Sequence, residues 1–189
     1  MTATDATSRT PNIDLADYPE PPVAGDEVAA LLASLDRLRF YIAWKCGGLT
    51  AEQLDQRLPP SAITLAGMLQ HLARTENSWF SWVLWGERPR SPWDQQDTPD
   101  EWANPYLGGE RDPEALMALW QQSCAESREQ TARALAAGGL DHPGAMDWGD
   151  SHPNLRRIVH DMIEEYGRHV GHVDLIRESI DGLVGEDPA

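Results

Sequence analysis

Glu165, His169 and His172 stand at steps of four and three within NLRRIVHDMIEEYGRHVGHVDLIRESIDG. At about 100° per residue they fall together on a helix, along one flank of an apolar stripe formed by Leu155, Ile158, Val159, Met162, Tyr166, Val173 and Ile180. A carboxylate and an imidazole one turn apart can bind one ion, and facing helices are where bundles assemble such sites. His71 is the matching candidate on an earlier helix, beside Met68 and Thr75. Imidazole and carboxylate donors suit a divalent metal, Zn first, with Ni, Fe or Mn as alternatives. Three protein ligands leave a coordination position open, as catalytic metal sites do.

A second acid raises a different question. Glu76 falls near the centre of the apolar stripe on the His71 helix, between Leu72 and Phe80. A carboxylate facing a core requires a partner, and either a ligand histidine or a buried Arg177 would serve. His142, His152 and His160 read as structural or exposed. Asp161 and Asp174 are candidates for proton transfer.

Four long helices must position these groups. The first spans about 26–45, where Val28, Leu31, Leu32, Leu35, Leu38 and Ile42 recur at helical steps and Gly47-Gly48 ends the run. The second spans about 64–85 and closes at Gly86, with Trp79, Trp82 and Trp85 stepping round it. Between them, Thr50 and Gln53 fit a capping box and announce a short extra turn. The third begins with Asp112 as cap and Pro113 in the first turn and runs to about 137. The fourth spans about 154–180, ended by Asp181-Gly182. Two long connections, 87–111 and the stretch LDHPGAMDWGDSHP, separate the last three helices. The first of these, with Trp93, Trp102 and Tyr106, is a lid or a crossover tie. No period-two strand pattern and no repeat competes, so the expected fold is an all-α four-helix bundle with long crossover connections.

Composition bounds the remaining options. A chain of 189 residues suits one domain, expected over 25–189, with residues 1–24 as a mobile or loosely attached arm. A net charge of −16 disfavours nucleic acid and anionic membrane surfaces. No stretch approaches the roughly 18 apolar residues of a membrane span, and the N-terminus lacks a signal-peptide layout, so a cytoplasmic protein is expected. Cys124 has the spacing of a buried core thiol; Cys46, beside Gly47-Gly48, is the more open position, with inert packing still expected.

The segments SAITLAGMLQHLARTENSWF and EEYGRHVGHVDLIRESIDG resemble the second and last helices of the DinB-like superfamily, in particular its mini-circle-protein branch. GLTAEQLDQRLPPS fits the same pattern, and the similarity covers most of residues 26–184. The resemblance implies an up-up-down-down bundle with a divalent metal at one end of its core. It carries the metal ligands onto His71, onto His169 two residues before Gly171, and onto Glu165, where many members have His. A His-Glu-His set is also that of mycothiol-dependent maleylpyruvate isomerase. His172 departs from the simplest pattern and is an alternative third nitrogen ligand, ranked after His71, His169 and Glu165. The implied function is a metal-dependent thiol S-transferase or isomerase, with mycothiol as cosubstrate and an electrophilic small molecule as substrate. A metal-dependent small-molecule hydrolase and a non-catalytic, stress-related binding bundle are the alternatives. The many aromatic residues make a homodimer through helix faces plausible as a further expectation.

Overall fold

The structure, a computed structural model, describes residues 8–88 and 112–185. Its helices begin where short polar side chains can satisfy backbone N–H groups that lack a partner in the first turn. Asp26 accepts from the Ala29 amide and opens α1, Glu27–Cys46. Thr50 and Gln53 cap reciprocally to open the four-residue α2, Ala51–Leu54. Thr64 accepts from Gly67 and opens α3, Leu65–Asn77. Asp112, with Pro113 behind it, opens α4, Pro113–Gly138. Asn154 accepts from Arg157 and opens α5, Leu155–Asp181, which ends at Gly182 in the left-handed conformation at φ 79°. The described residues are all-helical, without a sheet, and none of the helices is long and apolar enough to cross a membrane.

One element departs from regular periodicity. Beyond Asn77 the chain does not stay α-helical but runs through a π-helical stretch, Ser78–Val83, in which the Leu84 amide reaches back to the Trp79 carbonyl. The wider turn frees carbonyls from their usual partners, and the loop before α5 takes them up. Ala145 and Met146 donate to the Val83 carbonyl at 3.0 and 3.2 Å, while the Gly144 amide donates to Pro153 at 2.7 Å. A Cβ on Gly144 would lie 2.7 Å from the Pro153 oxygen and 2.9 Å from the Val83 oxygen, so only glycine fits this close approach. The second long connection is therefore fastened to the end of α3 rather than looped away from it. Residues 89–111, including Trp93, Trp102 and Tyr106, lie outside the described residues.

Specific pairings fix the helix directions. Arg156 meets Glu27, and Arg177 reaches the carbonyls of Lys45 and Gly47, so α1 and α5 run parallel. Ser127 donates to the Glu76 carbonyl and Arg133 pairs with Glu87, so α3 and α4 are also parallel. Gln56, just before α3, reaches Ser179 near the end of α5, while the end of α3 holds the loop that leads into α5. The two parallel pairs therefore oppose each other. The order is up-down-down-up, not the expected up-up-down-down, because the chain already reverses between α1 and α3. Parallel neighbours need a long connection, and the residues between α3 and α4 supply it.

The core lies between these pairs. Ile42, Leu65, Met68, Leu72, Phe80, Met117, Ile158, Met162, Tyr166 and Val173 are all buried, and burial of each large apolar side chain contributes about 1.5–3 kcal/mol. Cys124 is buried as expected; Cys46, expected to be the more open thiol, is buried too, and both are free. Within the stretch expected to be a mobile or loosely attached arm, Ser8 bonds Asp112 and Tyr18 meets Tyr41. Thr10 exchanges backbone hydrogen bonds with Gly48 and Leu49, its hydroxyl donates to Cys46, and Tyr18 packs edge-on against Phe40.

Candidate metal centre

Two helices bring three candidate ligands together. His71, in the second turn of α3, faces α5, where Glu165 and His169 stand one turn apart. His71 Nε2 lies 2.8 Å and His169 Nε2 3.1 Å from the same carboxylate oxygen, Glu165 Oε1. The imidazole centroids are 4.9 Å apart, and one ligand atom from each of the three residues lies within 4.8 Å of the others. His169 is buried at 3% side-chain exposure, whereas His71 and Glu165 keep 17% and 27%. The cluster thus has a closed side in the core and an open side toward solvent.

Its electrostatics follow from those contacts. Hydrogen bonds from His169 and then His71 hold the Glu165 carboxyl well below the usual carboxylate range, against partial burial that pushes the other way. Glu165 is therefore an anion with two nitrogens directed at one of its oxygens. Nitrogen and oxygen donors at about 2.0–2.1 Å from a tetrahedral ion stand about 3.3 Å from one another. The observed 2.8 and 3.1 Å separations need to open by only tenths of an ångström. The donor types, the approach of both nitrogens to one carboxylate oxygen and the anionic carboxylate fit a divalent cation.

His172 occupies a different position. Its Nδ1 lies 3.2 Å from His169 Nδ1, on the edge of the His169 ring away from Glu165. Partial burial, with the charges of His169 and Arg168, pushes its pKa below the ordinary value. The other histidines stand apart from this cluster. His142 lies against the Trp85 ring, His152 bonds the Met146 carbonyl, and His160 is exposed. Asp161 accepts from Arg157, and Asp174 pairs with Lys45, so each acid has a structural partner.

Behind the cluster sits a buried polar network that holds the same two helices. Glu76 is fully buried, and its two oxygens receive Nε and Nη2 of Arg39 at 2.8 and 2.7 Å. The Tyr166 hydroxyl donates to Glu76 Oε1 at 2.7 Å and accepts from Trp120 Nε1 at 3.0 Å. The Cys124 thiol contacts the same carboxylate oxygen at 3.6 Å. The partner of Glu76 is thus neither Arg177 nor a ligand histidine. Arg177 lies eleven residues beyond Tyr166, about 16 Å along α5, and it bonds the end of α1 and Asp181 instead. Arg39, Tyr166 and Trp120 were not expected in this role. The signal for Arg39 was available: it falls between Leu35 and Ile42 on the apolar stripe of α1.

The sequence profile of the Mycothiol-S-transferase family matches residues 30–182, from the first turn of α1 to the cap of α5. A search of curated proteins finds no match. The matched span contains His71, Glu165 and His169 together with the network that braces them. This chain belongs to the mycothiol S-transferase family, within the DinB-like superfamily.

Proposed function

We propose that the protein is a divalent-metal-dependent S-transferase that joins the thiol of mycothiol to an electrophilic small molecule. His71, Glu165 and His169 are the metal ligands in this reading, and Zn is the first candidate. The observation that carries it is the meeting of two imidazole nitrogens at one carboxylate oxygen, in a chain of this family.

A divalent ion in this donor set would lower the pKa of a thiol that reaches it, keeping thiolate available at neutral pH. The thiolate sulfur forms the new S–C bond as the bond from that carbon to a halide or to an epoxide oxygen breaks and its electron pair goes to that atom. With an activated alkene the C=C π pair shifts instead, and the epoxide oxygen or the alkene carbon then takes a proton from water. The thiol proton passes to water, since Asp161 and Asp174 are engaged by Arg157 and Lys45. Glu165 contributes fixed negative charge. His169, buried against the core, defines the closed wall, and the partly exposed side of His71 and Glu165 is where cosubstrate and electrophile would enter. The Tyr166–Glu76–Arg39 network keeps α3 and α5 in register, so that the donors need not be assembled at each turnover.

The test is mycothiol consumption by Zn-loaded protein against a panel of alkyl halides, epoxides and activated alkenes. Thiol loss that depends on enzyme and stops on metal removal is the expected result. Substrate turnover without any thiol would replace this reading with a hydrolase. No turnover of any kind would leave a binding bundle.

A further inference from the structure

The contact between His169 and His172 carries information beyond the three ligands. Two imidazole Nδ1 atoms 3.2 Å apart form a hydrogen bond only if one carries a proton and the other a lone pair. With no ion bound, His169 Nε2 donates its proton to Glu165 Oε1, which leaves a lone pair on His169 Nδ1 when that ring is neutral. His172 Nδ1 must then donate. Once His169 Nε2 offers its lone pair to a cation, the ring proton sits on Nδ1, and His172 Nδ1 must accept. A neutral imidazole can do either from the same atom, by carrying its own proton on Nδ1 or on Nε2. Neither ring has to move.

Resting on the metal reading above, we propose that His172 is a positioning residue: it orients His169 and accepts the Nδ1 proton of the His169 tautomer that presents Nε2 to the ion, and it is not itself a ligand. Geometry separates the two roles. His172 meets His169 at Nδ1, while Glu165, whose same oxygen also meets His71, lies at the Nε2 edge. Partners of this kind orient a ligand histidine and raise its basicity, and their removal typically costs 10–100-fold in metal affinity. His172 is partly exposed at the surface end of this pair, so its substitution opens no large cavity.

The experiment is Zn affinity by competition with a chromogenic chelator, on wild type, His172→Ala and His172→Asn. Metal-free helicity and melting temperature are recorded alongside. Asparagine places a polar atom near the Nδ1 position and can rotate to donate or accept. Affinity should fall about 10–100-fold in His172→Ala at unchanged stoichiometry, and His172→Asn should recover most of it. X-ray absorption should show the same nitrogen and oxygen ligand count in all three proteins. Unchanged affinity in His172→Ala would overturn the proposal while leaving the metal site intact. Loss of one nitrogen ligand in both variants would also overturn it, by making His172 a ligand. A wild type that binds no ion would overturn the metal reading itself, and this inference with it.

Discussion

Tyr166 donates a 2.7 Å hydrogen bond to Glu76, one residue along α5 from the carboxylate that faces His71. Adjacent positions on one helix therefore serve two separate polar clusters. Tyr166 points into the core and braces α3 from within, and Glu165 meets α3 at its flank. The brace and the candidate centre depend on the same seam between α3 and α5.

The brace should be costly to break on one side. Glu76→Ala leaves the Arg39 guanidinium buried beside an empty space, with Asp36 as its remaining carboxylate partner among the described residues. Loss of one member of a buried pair typically costs about 3–5 kcal/mol. Tyr166→Phe removes the hydrogen bond to Glu76 and leaves Trp120 Nε1 without its acceptor, for about 1–3 kcal/mol. Urea denaturation of the two variants should rank them in that order. Equal stability of Glu76→Ala and wild type would mean that the pair contributes nothing net.

Gly144 should tolerate no side chain. Its Cβ would press on two backbone oxygens, neither of which can rotate away. Gly144→Ala should lower stability by about 1–3 kcal/mol, the usual cost of overpacking. Faster amide exchange at Ala145 and Met146 should accompany it, because both donate to Val83. Unchanged exchange there would show that the loop is not fastened to the π-helical turn.

Both thiols should be inert in the folded protein. Burial pushes Cys46 up to about 12 from an ordinary 9.0, and burial together with the Glu76 charge also raises Cys124. A raised folded pKa means stability that is fully present below the unfolded value and lost as pH rises through the folded one. Stability should accordingly fall as pH climbs from about 9 toward 12. At pH 8, a disulfide reagent should label both thiols in denaturant and neither in buffer. Rapid labelling of either in buffer would contradict their burial.

The sequence carried the helices and the caps at Thr50 and Asp112, because apolar spacing and short polar starters are local signals. It also marked Glu76 as a buried acid in need of a partner. It did not identify Arg39, since a stripe on α1 gives a face but not the height at which a facing helix meets it. The π-helical turn was invisible for a related reason: it depends on carbonyl acceptors being claimed by a loop sixty residues later. The candidate ligands were legible because Glu165 and His169 sit one turn apart. The position of His172 was not, because ring orientation decides which nitrogen meets which. The up-up-down-down order that the resemblance implied was wrong in its first step, and periodicity, which carries no direction, could not correct it.

Metal content of tagless protein, compared across wild type, His71→Ala, Glu165→Ala and His169→Ala by elemental analysis, decides whether these three residues hold an ion. Wild type should carry about one ion per chain, with binding lost or sharply weakened in each variant while helicity is retained. A wild type that takes up no metal after incubation with Zn or Ni would contradict the metal reading, as would full occupancy in His169→Ala.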